Sequence, residues 1–338
     1  MIKEIYLNIL GRGPSRPSAK VVADSYPAYT EHKTRLTTLE VRMHRFVLAE
    51  FNTHRVFSRN SASSRAIPTY KRVRDVLTDL AWPVEWGTLQ AGMQAGPPAI
   101  GARRALARTV WFLIALCCVA GALALRGLRI HKQITNRLLE PFLWHDVVVT
   151  STEWENFFKQ RASHHTKLAQ PEMMAAADAI YEALTNSSPQ PLDIDQWHLP
   201  YVDEFDWVAA RNKYPNGYLK SNGYINYEAV DPDAREKQQE LLIKVSIARC
   251  ARSSYGTTKK QDFAKELMLY CKLEGANPPH WSPMEHVATP ATDFENPPGN
   301  FKGWWQWRHY DERDLDEDFD AKMKAGIRQL HGEEKGNG

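Results

Sequence analysis

The chain has 338 residues, 43% of them apolar and 25% charged. That length suits one large domain or two, and the composition excludes a disordered, collagen-like or low-complexity chain. Charge is uneven: residues 1–150 carry 21 Lys and Arg against 10 Asp and Glu, and residues 151–338 carry 22 against 30. A basic half points either to an anionic partner (phosphate, nucleotide or nucleic acid) or to two halves of opposite sign packed together. The four cysteines, Cys117, Cys118, Cys250 and Cys271, form no CxxC pair. They predict a reduced, cytoplasmic chain without structural zinc.

The N-terminal MIKEIYLNIL carries Glu4 and lacks a small-residue cleavage site, so no signal peptide is expected. Over residues 38–54, Met43, Val47 and Phe51 recur every four positions and predict one face of a helix. The polar stretch 58–68, stopped by Pro68, and the Pro/Gly/Gln-containing stretch 82–101 read as loops. Residues 102–139 read as helix with a weak point at Gly127. Its apolar run 110–125 is short of the roughly 20 residues that span a bilayer. With arginines on both flanks, the run predicts a buried helix and no membrane partner.

Residues 141–150 suggest a strand. Thr152 with Glu155 three positions on resembles a capping box opening a helix that runs to Arg161. Residues 170–185 form an amphipathic helix with Pro171 in its first turn. The Pro/Ser-rich stretch 186–200 is the natural boundary, dividing the chain into 1–186 and 187–338. Beyond it, 234–250 and 260–274 read as helices, the proline-rich 277–300 as irregular, and the acidic 311–320 as a solvated helix face.

Four stretches concentrate groups that carry chemistry. Residues 53–65 hold His54, Arg55, Arg59 and Arg65 among four serines; guanidiniums grip phosphate through paired hydrogen bonds and hydroxyls complete an anion shell. An exposed basic loop reads equally well. Arg137, in Asn136–Pro141, suits an anion contact or a simple cation at a helix end. Asn156 and Arg161 lie five apart, about 140° around a helix, and share only a broad face. His280–His286 (HWSPMEH) invites a metal reading, but its spacing is not that of HExxH and Pro283 interrupts it. Polar groups fixing an aromatic ligand, or a plain structural turn, fit better.

Together these stretches resemble the flavin-dependent thymidylate synthases (the ThyX family). That family's hallmark is Arg-His-Arg, seven residues, Ser, and a further Arg two positions on. Thr53-His54-Arg55, then Ser63 and Arg65, match it except at the first position. Asn136–Pro141 resembles the family's Arg-containing turn, and Asn156–Arg161 with Ala169-Gln170-Pro171-Glu172 its Asn-x4-Arg…Ala-Gln-x-Glu segment. Ala251-Arg252-Ser253-Ser254-Tyr255 and His280–His286 resemble two segments that ordinary members place before the hallmark; here they follow it. The chain therefore resembles the longer, rearranged members found in phages, with a hallmark-bearing half (1–186) and a second half (187–338) like the family's N-terminal flavin side.

The resemblance implies an α+β fold, with helices packed around a mostly antiparallel sheet. It implies methylation of dUMP to dTMP, with methylenetetrahydrofolate as carbon donor, FAD as cofactor and NADPH as reductant. It also implies a homo-oligomer, a tetramer or fewer subunits, in the cytoplasm (a host's, if phage-encoded). Carried over by position, Glu50, Arg55, Ser61, Ser63, Ser64, Arg65 and Arg137 fall on the nucleotide. Thr53, His54, Arg55, Thr150, Thr152, Asn156, Ser254, His280, Ser282 and Glu285 fall on the flavin side, and Arg161 is the catalytic cation beside an ionised uracil N3. No metal is implied. Thr53 stands where Arg is usual, Glu50 where Gln is usual and Ser61 where Glu is usual. A related pyrimidine modification such as hydroxymethylation, or a non-enzymatic nucleic-acid-binding protein, stays open beside the synthase.

Overall fold

The computed structural model describes residues 16–31, 33–215, 218–219, 225–226, 233–256, 260–292 and 295–311. It is an α+β molecule built on a five-stranded sheet. The strands are β1 (Ser18–Pro27), β2 (Leu36–His44), β3 (Ser58–Ser61), β4 (Trp144–Ser151) and β5 (Gln190–Leu192), in the order β3-β4-β2-β1-β5. Only the β1–β5 pairing is parallel. The segment expected as an interdomain boundary thus supplies an edge strand to the hallmark-bearing half's sheet.

The first half of the predicted 38–54 helix is strand β2. Leu39, Val41 and Met43 alternate with Thr38, Glu40 and Arg42, and a period of two sends the first set into the core. The four-residue spacing of Met43, Val47 and Phe51 is real, but it runs from a strand end through a 3-10 turn (Arg45–Val47) into a short helix, α1 (Leu48–Asn52). All three side chains enter one cluster with Val147, Val149, Phe157, Phe158 and, from a later helix, Met173, Ala176, Ala177 and Ile180. Tertiary packing, not local periodicity, chose the strand. Within 58–68 the loop begins with β3, and Pro68 precedes helix α2 (Thr69–Thr78).

Helix α3 (Gly101–Gly127) departs furthest from expectation. It ends at the predicted weak point, but only Ala115, Val119 and Ala122 are buried, against Val73, Val76, Leu139 and Phe142. Leu106, Leu113 and Ile114 are 66%, 53% and 49% exposed, so the apolar run is a mostly open helix and not a core one. By length and composition alone it is sufficient to cross a membrane.

Helix α4 (Glu155–Arg161) begins at Trp154 without a side-chain cap. The expected Thr152–Glu155 box is absent: the Thr152 hydroxyl accepts the Lys302 N–H at 3.3 Å, and Glu155 pairs with Lys159. Helix α5 (Pro171–Thr185) opens on its proline as predicted and buries Met173, Ala176, Ala177, Ile180 and Leu184 on the sheet.

The second half packs helices α6 (Glu204–Lys213), α7 (Ala234–Arg252) and α8 (Phe263–Glu274) around a separate cluster of Leu241, Leu242, Val245, Tyr270 and Met284. Buried Arg249 is held bidentately by Asp206, at 2.7 and 2.8 Å. This half lies over the polar face of the sheet. A buried hydrogen-bond chain joins the two: Ser25 Oγ to His198 Nδ1 (2.9 Å), His198 Nε2 to Thr38 (2.8 Å), Thr38 to Thr150 (2.7 Å) and Thr150 to His286 Nδ1 (2.7 Å). The small pair β6 (Ala288–Pro290) and β7 (Trp304–Gln306) closes the end. The acidic stretch beyond Asp311 lies outside the described residues. All four cysteines are free, and no cluster of three or more potential metal ligands occurs among the described residues.

Candidate active site

The exposed edge of β3 would invite a further strand. Here it is covered by the second half, and that covering brings the separated motifs together. Asn60 is the centre. Its amide donates to the Cys250 carbonyl (2.7 Å) and to Ser253 Oγ (2.8 Å). Its side-chain oxygen accepts from the hydroxyls of Ser254 (3.4 Å) and Ser282 (3.3 Å). The Ser63 N–H donates to the Ser254 carbonyl at 3.0 Å. Three stretches far apart in sequence (the hallmark loop, ARSSY and HWSPMEH) thus meet on one side chain.

Just before β3, His54 is buried against Phe157 (ring centroids 4.9 Å) and Phe57 (5.8 Å). Its Nε2 accepts from Arg161 Nε at 3.3 Å. A guanidinium only donates, so this ring nitrogen carries no proton and His54 is a neutral imidazole. Burial first, then the charges of Arg161 and Arg59, lower its pKa to about 4. Arg161 forms no ion pair with a carboxylate among the described residues. Arg59 turns back to the carbonyls of Phe51 and His54, at 3.4 and 3.5 Å. Burial lowers its pKa and the charge of Glu285 opposes that. Glu285 is itself paired to Arg308 at 2.6 Å. The result is a cation-rich edge around a neutral imidazole, a setting that favours a bound or developing anion.

Just after β3, Ser64, Arg45 and Arg137 converge on Glu140. Ser64 donates through a short hydrogen bond, Arg45 at 2.9 Å and Arg137 at 2.8 Å. Burial raises the Glu140 pKa, but the Ser64 bond and the two arginines outweigh it and hold the carboxyl below its usual range. Asn136 fixes the same loop by donating to the Ser64 and Ile67 carbonyls, at 2.8 and 2.9 Å. Ser64 and Arg137, expected on a phosphate, are therefore already engaged with a carboxylate.

A cleft of about 620 Å³ lies where β2 and β4 meet α4 and α5. Thr152 and Asn156 line it with Trp154, Phe158, His165 and Tyr181, and with the carboxylates Glu153 and Glu155. Thr150, placed on the flavin side by resemblance, is wholly buried, and its hydroxyl holds Thr38 and His286. The Thr53 hydroxyl folds back on the Glu50 carbonyl at 2.6 Å, and one carboxylate oxygen of Glu50 is buried without a hydrogen-bond partner. Ser61 is half-buried, while Arg55, Arg65 and His280 are exposed.

No family model matches this chain, and no curated protein does. Among solved structures it is similar to a UMP/dUMP methylase PolB from Streptomyces cacaoi bound with 5-Br UMP. That match is 14% identical with a TM-score of 0.40, covering 51% of this chain and 89% of that one. The same enzyme bound with 5-Br dUMP matches at 15% identity and a TM-score of 0.35, covering 54% and 74%. Likeness this slight says nothing of activity.

Arg59, counted among the guanidiniums of residues 53–65, was assigned no role by sequence, and Asn60, Arg45 and Arg308 were not singled out at all. The first two sit inside the hallmark stretch, where Ser58–Ser61 alternates partly open with buried positions. That alternation shows only in the folded sheet, where Asn60 and Arg59 face opposite sides; the all-polar SRNS gives no local signal for it. Asn60→Ala is expected to lower the unfolding free energy by about 2–4 kcal/mol, because it leaves buried partners unpaired. Urea denaturation followed by tryptophan fluorescence checks this; a change below about 0.5 kcal/mol would remove Asn60 from the centre of the assembly.

Proposed function

We propose that this chain modifies a pyrimidine nucleotide in the manner of the flavin-dependent thymidylate synthases: dUMP is methylated at C5, with methylenetetrahydrofolate giving the carbon and NADPH the electrons. The observation that carries the reading is the meeting of the hallmark loop, ARSSY and HWSPMEH on Asn60, beside the Arg161–His54 contact. Nothing in an unrelated fold requires these segments to converge.

In this reading Arg161 keeps its Nε on His54 and presents the rest of its guanidinium to the uracil ring. A fixed cation there stabilises negative charge that develops on the ring, an effect worth about 10²–10³ in rate. Neutral His54 orients the guanidinium and does not compete with it for charge. Arg59 and Arg55 add positive potential for the nucleotide, and Ser63 and Arg65 lie at the far end of β3 for its phosphate. Ser64 and Arg137 reach a phosphate only by sharing or releasing Glu140, so Glu140 sets the strength of that grip.

In this reading the flavin ring would lie against the aromatic cleft, which Thr152 and Asn156 line with Trp154 and His165 and which Ser254, His280, Ser282 and Glu285 do not reach. When bound, FAD would supply the hydride chemistry, which no amino-acid side chain provides. The chain's own part is to bind, orient and polarise.

The test is direct. Protein purified with added FAD should show a protein-bound flavin spectrum. With dUMP, methylenetetrahydrofolate and NADPH it should yield a product heavier by one methylene unit by mass spectrometry, and none when any one reagent is left out. A chain that binds no flavin and leaves dUMP unchanged overturns the reading. A product heavier by one CH2O unit, as in hydroxymethylation, keeps the site and changes the reaction.

A further inference from the structure

Strand β2 ends at His44 and its partner β4 begins at Trp144. Here a second large cleft opens, about 680 Å³, walled by Trp82, Trp86, Trp144, His44, Arg104 and Arg108. His44 lies seven residue steps along the strand from Thr37, on the wall of the 620 Å³ cleft, or roughly 23 Å at 3.3 Å per residue. The two clefts are distinct sites at opposite ends of one strand pair.

The chemistry of this cleft is specific. The Arg108 guanidinium lies 4.7 Å from the centre of the Trp82 ring, a cation–π contact. Burial lowers the Arg108 pKa, and the neighbouring charge of Arg104 lowers it further. The two cations repel, and they come from a stretch, Trp86–Leu139, that contains no Asp or Glu. Neither forms an ion pair among the described residues. The one acid on the wall, Asp79, is held by Arg42 at 3.1 Å.

Buried hydrogen-bonding atoms in the same walls also lack partners: Arg108 Nη2, and the indole N–H groups of Trp82 and Trp144. His44 donates from Nε2 to the Trp82 carbonyl (2.7 Å), which leaves its Nδ1 as a lone-pair acceptor, also unpartnered. Burial, the largest influence, lowers the His44 pKa and keeps the ring neutral. These atoms lie beneath the wall surface, so a ligand in the cleft meets the residues that line it, the Arg104 and Arg108 side chains and the aromatic rings, and not these buried atoms.

We propose that this cleft is a second ligand site, for a planar aromatic anion: a ring against the tryptophans and a carboxylate or phosphate between Arg104 and Arg108. A neutral ring leaves the guanidinium repulsion in place, and a bare inorganic anion leaves the half-buried Trp86 ring uncovered, Trp82 being already faced by Arg108 and Phe112 and Trp144 by His44. The volume is that of small-molecule sites, roughly 300–1,000 Å³. A nucleoside monophosphate and a carboxylated pterin share this chemistry. The site does not depend on the reading of the β3 edge.

Calorimetric titration of the full chain with dUMP and, separately, with 5-formyltetrahydrofolate tests it. With at least one probe, one equivalent per chain should persist in Arg161→Ala and weaken at least tenfold in Arg104→Gln/Arg108→Gln. The probe that behaves so names the source, and uncharged deoxyuridine should bind at least tenfold more weakly than dUMP at a nucleotide site. Arg104 is exposed, so Arg104→Glu alone serves as the second variant should the double variant lower the urea midpoint; it should weaken the same equivalent. Failure of the wild-type chain to bind either probe, or binding that these arginine variants leave unchanged, overturns the proposal. Loss of both equivalents in Arg161→Ala also overturns it, because the ligand would then belong to the β3 edge.

Discussion

Arg161→Ala should lower turnover of the pyrimidine nucleotide by roughly 10²–10³-fold, while the unfolding free energy from urea denaturation changes by no more than for an ordinary surface substitution, about 0.5 kcal/mol. The separation of these two readouts follows from the geometry. Arg161 closes α4, is half-buried and, among the described residues, makes one side-chain hydrogen bond, to His54 Nε2. Its aliphatic stem adds little to the core, which is filled by Phe157 and Phe158 on the same helix. Lysine should not restore activity, since it lacks both the Nε that meets the imidazole and the planar fork that remains for a ligand. A further measurement isolates the contact. Arg161's charge is the second cause, after burial, of the low His54 pKa, so the His54 ring resonances should titrate at higher pH in Arg161→Ala than in the wild type. Unchanged turnover would end the catalytic assignment, and an unmoved His54 titration would end the coupling.

The helices were the most legible part of the sequence, for a physical reason. Helix α5 announces itself through Pro171 in its first turn and a single apolar face, both local properties. The strands were harder. Strand β2 alternates Leu39, Val41 and Met43 with polar residues, but Met43 also begins a four-residue series with Val47 and Phe51, and the series dominated because each member is apolar. Which period holds is decided by β1 and β4 lying on either side, and no short window contains that information. Helix α3 misled in the opposite sense: an apolar run normally signals burial, yet only the Ala115–Val119–Ala122 stripe finds a partner. The site was half legible. His54, Ser63, Arg161, Ser254 and Ser282 could be named from their motifs. Asn60, which holds three motifs together, carries no motif signal of its own. Its role exists only because β3 lies at a sheet edge with Cys250 and Ser253 against it.

The chain should lose stability steeply as pH falls from about 6.5 towards 4, and the buried histidines set that window. His145, His198 and His286 are each at most 1% exposed. Burial is the largest cause in all three and lowers each pKa to about 3, with the charges of Arg45 and Arg72 adding to it at His145. The unfolded chain takes up these protons below about pH 6.5, while the folded chain resists until about pH 3. The unfolded state therefore binds more protons across the window, and stability rises with pH there. Each histidine contributes a loss on the order of 2 kcal/mol by pH 5, and His198 and His286 act on one another, so the combined loss is a large share of a typical domain's stability and not a simple sum. Urea midpoints at pH 7.5, 6.5, 5.5 and 5 should fall accordingly, and His286→Gln should flatten the dependence by one histidine's share, about 1.4 kcal/mol per pH unit. A midpoint independent of pH across this range would mean that these rings are open to water. His198 and His286 are also the ends of the chain through Thr38 and Thr150 that ties the HWSPMEH segment to the sheet. Protonating either ring places a charge in that dry contact, so Ser282 and Glu285 should leave the β3 edge as the chain opens, and activity should vanish within the window in which stability fails.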